Sequence, residues 1–224
     1  MRRLAINTFL TLDGVMQAPG GPEEDPTGGF KHGGWSVNYW DDQMGKRMDQ
    51  FMGKPFDLLL GRRTYEIFAA HWPNAGDDPT AVALNNAKKH VASRTLKRVE
   101  WQNSQLIKGD VAEYVAELKR GNGPEIQVHG SANLIQTLLK HNLIDEFNLW
   151  IFPLVLGTGK RLFEEGTVPE GLKIVDSMTS STGVIVTKFE PAGPIKYGSF
   201  ALEQPAAAEM ERREKLAREP VTSR

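Results

Sequence analysis

The stretch from Gln127 to Phe163 constrains this chain more than any other. A short apolar run, Ile126 to His129, breaks at Gly130-Ser131-Ala132-Asn133. A helical pattern follows, with Leu134, Ile135, Leu138 and Leu139 on one face, as an amphipathic helix needs. Phe147 to Phe152 is then apolar on both faces, as a strand covered on two sides would be. The order strand, Gly-containing turn, helix, strand leaves free backbone N–H groups at a helix start. Those groups and the helix dipole suit a phosphate.

The rest of the chain repeats that grammar. Arg3 to Leu12 reads as a first strand ending at Asp13-Gly14, and a Gly/Pro-rich loop spans Val15 to Gly34. Loops of that length inside compact domains are functional or disordered. Tyr39/Trp40, Met44, Met48 and Phe51 recur at helical steps and predict a helix over Trp35 to Phe51. A buried strand, Pro55 to Leu60, stops at Gly61, and a helix from Arg62 ends near Trp72-Pro73, where proline closes it. Thr80 to Lys88 reads as a short helix, His90 to Ala92 as a short strand, and Val99 to Ile107 as one or two more. Asp110 caps a helix reaching Lys119. Leu172 to Thr179 and Gly183 to Glu190 form a closing hairpin. Alternating strands and helices predict a three-layer α/β fold, with a mixed, mostly parallel sheet, an antiparallel C-terminal hairpin and helices on both faces. The expected division is a domain over 1–202 and a charged, helix-prone tail over 203–224, where large apolar residues become scarce.

Composition narrows the function. A net charge of -1 gives no global pull toward nucleic acid or membrane. No cysteine is present, which removes thiolate chemistry and cysteine metal sites. His32, His71, His90, His129 and His141 lack ligand spacing, so no metal is expected. Without a long apolar run or a signal-like start, the reading is a soluble, cytoplasmic protein.

Three junctions carry candidate chemistry. Gly61-Arg62-Arg63-Thr64 starts a helix with two guanidinium groups, a hydroxyl and free N–H groups, all suited to a phosphate. It reads equally as a solvated, capped helix start. Ser93-Arg94-Thr95 and Gly130-Ser131-Ala132-Asn133 repeat the pattern after other strands, and open α/β sheets bind ligands at such ends. Trp35, Tyr39 and Trp40 either stack on a flat ring or belong to the core.

The motifs L-D-G, G-R-R-T-Y-E, S-R-T-L, V-H-G-S-A and L-I-D-E…P-L-V-L-G-T-G-K-R-L-F together resemble the dihydrofolate reductase superfamily. Within it the chain is most similar to the branch typified by the C-terminal reductase domain of bifunctional riboflavin-biosynthesis proteins. The resemblance spans about Arg3 to Glu190 and implies NADPH as hydride donor, a small-molecule substrate and often a homodimer. It assigns Gly61, Arg62, Arg63 and Thr64 to a phosphate-contacting helix start, and Ser93 and Arg94 to the adenosine 2′-phosphate. Gly130, Ser131, Ala132 and Asn133 go to the pyrophosphate near the nicotinamide. It places Asp13 beside substrate and cofactor, and an acid on the helix after the first loop, here Asp41 or Asp42. Read as residues alone, these are also a turn former and first-turn carboxylates. The Gly/Pro-rich loop departs from compact riboflavin reductases. The leading expectation is an NADPH-dependent reductase of a small pteridine- or pyrimidine-like heterocycle. The alternative is a nucleotide-binding protein without turnover, acting as a sensor or partner-binding dimer. A strand over Leu143 to Leu156 is expected at a dimer seam or under helices of its own chain.

Overall fold

The computed structural model describes residues 1–219. Its contacts divide into two compact units, Met1–Pro194 and Ile195–Arg224. The first unit runs β1 (Leu4–Thr11), α1 (Asp42–Met52), β2 (Phe56–Gly61), α2 (Arg62–His71), α3 (Pro79–Asn86), β3 (Lys89–Ala92) and β4 (Ser104–Leu106). It continues through α4 (Val111–Arg120), β5 (Glu125–His129), α5 (Ala132–Lys140), β6 (Glu146–Phe152), β7 (Gly171–Thr179) and β8 (Ile185–Gly193). In the second unit α6 (Ala207–Arg218) carries ion pairs from Arg212 and Arg213 to Glu209.

One eight-stranded sheet has the order β4-β3-β2-β5-β1-β6-β8-β7. All pairings from β4 to β6 are parallel, and β8 and β7 close the edge antiparallel. This is the predicted three-layer arrangement. Alternation along β1 sends Leu4, Ile6 and Leu10 into a core with Val115 of α4 and Leu134, Ile135 and Leu138 of α5. On the opposite face Leu58, Leu60 and Val91 meet Tyr65 of α2 and Leu84 of α3. β6 is buried on both faces: Phe147 and Leu149 join the first core, while Trp150 and Phe152 pack with Met44, Val184 and Val186. Elements of its own chain therefore cover β6. Burying such side chains contributes about 1.5–3 kcal/mol each.

One expectation is corrected. The first helix begins at Asp42, well after Trp35, because Asp41 stays extended and its Oδ1 accepts from Met44 N at 2.8 Å. That carboxylate satisfies an orphan N–H and fixes the start, so Trp35 to Trp40 lie in a turn around a short 3-10 helix, Val37–Tyr39. Within Val99 to Ile107 one strand forms, of the one or two expected: β4, at the sheet edge.

The Gly/Pro-rich segment is an ordered strap. Val15, Ala18 and Phe30 are buried together. Gln17 Nε2 donates to the carbonyls of Asp25 and Thr27, both at 2.9 Å. Lys160 Nζ reaches Asp25 Oδ2 at 2.5 Å and Thr27 Oγ1 at 3.0 Å. Gly159 sits under the strap, where a Cβ would come within 2.6 Å of Val15 Cγ1. Among the described residues no helix is long and apolar enough to cross a membrane.

Candidate functional site

The parallel strands β3, β2 and β5 are neighbours, so their C-terminal ends open side by side on one cleft of about 1870 Å³. Ser93-Arg94-Thr95, Gly61 to Thr64 and Gly130 to Asn133 all line it. The β2 and β5 turns are bonded to each other. Ser131 Oγ accepts from Gly61 N at 2.9 Å and donates to His129 O at 3.0 Å. Ser131 N donates to Thr64 Oγ1 at 3.0 Å. The lock needs a left-handed backbone at Gly130 (φ 52°) and at Ser131 (φ 64°). That conformation costs a non-glycine residue about 1–2 kcal/mol. A Cβ at Gly130 would stand 3.0 Å from Thr64 Oγ1.

These bonds revise the roles expected for the hydroxyls. Ser131 and Thr64 hold turn to turn, and Ser93 Oγ accepts from Thr95 N (3.1 Å) and Leu96 N (2.9 Å) to shape its own turn. The groups available to an anion are the N–H groups starting α2 and α5, neither of which has a side-chain cap, and the guanidinium groups. Among the described residues Arg63 and Arg94 are exposed and have no hydrogen bond or ion pair. Arg62 makes only a 3.4 Å contact with Glu66. Ala132 and Asn133 sit in the first turn of α5.

The other end of the cleft is aromatic. Phe9, Trp40, Met48, Phe51 and Trp150 line it. Trp40 lies parallel to Trp150, with centroids 5.8 Å apart, and Phe9 is tilted against Trp150 at 5.4 Å. Of the three predicted ring-stacking residues only Trp40 lines the cleft. Trp35 and Tyr39 pack edge-on against Phe152, at 5.2 Å and 5.7 Å, as core.

Asp13, Asp41 and Asp42, expected beside the substrate, do not line the cleft. Asp13 accepts from Thr11 Oγ1 (2.5 Å), Leu156 N (3.2 Å) and Gly157 N (2.8 Å), and pairs with Arg161 at 3.3 Å. Desolvation would raise its pKa, but those hydrogen bonds together outweigh it and bring the carboxyl to about 2. Asp41 caps α1 and takes N–H and O–H bonds from Ser181, whose hydroxyl is the largest cause of its lowered pKa. Asp42 is an exposed first-turn residue of α1.

Asn7, not singled out from the sequence, and His129 also line the cleft. Asn7 lies between His129 on β5 and Asn148 on β6 in register. Both atoms of its amide are buried without a hydrogen-bond partner, which costs about 1–3 kcal/mol per group. Its visible signal is a polar residue inside the apolar run of β1. Gln127 donates its amide N–H to Glu125, so its Oε1 faces His129 Nε2 at 3.0 Å as acceptor. His129 is therefore protonated on Nε2, and desolvation pushes its pKa down to about 4. Asp25 and Lys160 also line the cleft. Burial works to raise the Asp25 pKa, but the bonds from Lys160 and Thr27 hold it below its ordinary value. Among the described residues no cluster of three or more His, Asp or Glu is placed to hold a metal.

Comparison with known proteins places this architecture. Residues 2–186 match the model of the RibD C-terminal domain. Protein YyaP of Bacillus subtilis (strain 168) is 31% identical over 188 residues, covering 82% of this chain and 92% of the relative. A pyrimidine reductase-like protein from Corynebacterium diphtheriae superposes with a TM-score of 0.54 at 12% identity, covering 88% of this chain and 93% of that one. A Thermotoga maritima diaminohydroxyphosphoribosylaminopyrimidine deaminase/5-amino-6-(5-phosphoribosylamino)uracil reductase gives 0.55 at 14% identity, covering 85% of this chain and 57% of that one. At those identities the two structures speak to the fold. Taken with the match across most of its length, this makes the chain a member of the RibD C-terminal domain family.

Proposed function

We propose that the protein is an NADPH-dependent reductase that passes a hydride to a small pteridine- or pyrimidine-like heterocycle. One observation carries this reading: three anion-suited turns at the ends of adjacent parallel strands share a cleft with the unpaired Arg63 and Arg94. Family membership and the reductase named for the Thermotoga relative support the same reaction class. The donor set fits a phosphorylated dinucleotide. The N–H groups starting α5 would hold the pyrophosphate, and the Ser93-Arg94 turn the ribose phosphate that distinguishes NADPH from NADH. When bound, the cofactor supplies the hydride.

The chain's own residues bind, orient and exclude water. The turns fix the phosphates, the aromatic wall supports a flat ring, and Asn7 presents a donor and an acceptor between the two ends. His129 remains neutral at pH 7 and adds no charge beside the reacting ring. The structural bonds of Asp13 and Asp41 favour a second reading, nucleotide binding without turnover. It predicts NADPH affinity without substrate-dependent loss of reduced-nicotinamide absorbance. The test of the main reading is a titration with NADPH and NADH, followed by reduced-nicotinamide fluorescence. NADPH should bind tighter than NADH, and Arg94→Ala should remove most of that preference. Failure to bind either cofactor refutes both readings.

A further inference from the structure

The two ends of the cleft carry opposite charge. At the turn end Arg62, Arg63 and Arg94 line the wall. The acids there, Asp78 and Asp110, are engaged as N-caps of α3 and α4. The strap enters from the aromatic end, tethered by Trp35, whose Nε1 donates to Gln17 O at 2.8 Å while its ring packs on Phe152. From Met16 to Asp25 the strap lines the cleft, bringing Glu23, Glu24 and Asp25. The cation lining that end is Lys160, whose ammonium is already bonded to Asp25 and Thr27. Glu24 accepts from the N–H groups of Gly20 (2.6 Å) and Gly21 (3.2 Å), which fixes the position of its carboxyl; burial pushes its pKa up and those N–H groups oppose the shift. Three carboxylates against one ammonium leave a formal surplus of two negative charges. Trp40 lies parallel to Trp150, with Phe9 tilted against it, and remains 44% exposed where it lines the cleft, so part of its indole is open to a stacking ring.

We infer that the aromatic end takes a planar, unphosphorylated heterocycle and disfavours the same ring carrying a phosphate. This rests on reading the cleft as a reductase site and adds the substrate class. Stacking on an indole needs only a π-face. A phosphate at this end would meet the carboxylates of the half-buried Glu24 and the exposed Glu23, and that repulsion is strongest at low ionic strength. Any phosphate the cleft accepts would go to the turn end, where the guanidinium groups are free.

Riboflavin and flavin mononucleotide share one ring system and differ by a phosphate, which makes them suitable probes. Quenching of flavin fluorescence would be followed at low ionic strength, with and without saturating NADP⁺ to fill the turn end. With NADP⁺ present, riboflavin should bind at least ~10-fold tighter than flavin mononucleotide. The gap should shrink to under ~3-fold in Glu23→Gln/Glu24→Gln and at high salt. Trp40→Leu should weaken both flavins alike. Equal or tighter binding of flavin mononucleotide, an unchanged gap in the double variant, or no binding of either flavin would overturn the inference. A separate NADP⁺ titration reports on the reductase reading. If NADP⁺ does not bind, that reading fails, and the flavin ratio without it decides the substrate class.

Discussion

At the β3–β2–β5 end of the cleft, each working group lies beside a strand terminus: Gly61 to Thr64, Ser93 and Arg94, Gly130 to Asn133. At the β1–β6 end the wall is assembled from β1, α1, β6 and the strap, with Asp25 joined to Lys160 across 135 residues. The first end offers backbone N–H groups and unpaired arginines; the second offers ring faces and fixed acids. The difference matches two kinds of ligand. Phosphate recognition uses helix starts, which short motifs specify. A flat ring is recognised by surfaces that only tertiary packing creates.

Acidification should separate the two ends, and it gives the largest expected effect. An unfolded chain protonates His129 below about 6.5, whereas the folded site resists until about 4. The unfolded state therefore binds more protons in that window, and stability falls as pH drops through it. At 1.36 kcal/mol per unit, the loss approaches about 3 kcal/mol. At the strap, Asp25 is held below its ordinary value of 3.8, so its contribution is present above that value and lost only below it. Melting temperature against pH should show the histidine loss first, and His129→Gln should make the slope of the upper window shallower, leaving the part due to His90, whose pKa burial also lowers. If the variant keeps the same slope, the burial assigned to His129 is wrong.

Arg94→Ala removes a charge-assisted contact of about 1.5–3 kcal/mol, so NADPH should bind roughly 10- to 100-fold more weakly while riboflavin affinity holds. A matching loss for riboflavin would mean that the ends are not independent. Gly130→Ala forces a side chain into a left-handed turn facing Thr64. Calorimetry should show about 1–2 kcal/mol of destabilisation, together with weaker NADPH binding. Trp40→Ala gives the smallest effect, about 0.5–1.5 kcal/mol beyond lost area. It should lower riboflavin affinity and leave NADPH untouched, and a change in NADPH affinity would place the ring elsewhere.

The same contrast explains what could be read from the residues. Strands, the Gly130 turn and α5 follow from local patterning, and so does the placement of all three turns. The start of α1 was obscured because Tyr39 and Trp40 continue the helical spacing upstream of the Asp41 cap. Trp35 and Tyr39 resemble ring-binding residues in sequence, yet edge-on packing against Phe152 uses both. Asp13 follows the family motif, but its bonds to Leu156 and Gly157 close a loop distant in sequence. Ser131 and Thr64 line the cleft, while their partners, each other's turns, depend on β2 and β5 being neighbours. The strap's order depends on Lys160, which no local spacing connects to Asp25.

The most direct test is a crystal structure of the protein soaked with NADPH. The account predicts the pyrophosphate against the N–H groups of Ala132 and Asn133 that start α5, the ribose phosphate within hydrogen-bond reach of Ser93 and Arg94, and the nicotinamide ring near Asn7. A cofactor whose phosphates lie at the strap beside Lys160, or a cleft that stays empty at saturating NADPH, would contradict it.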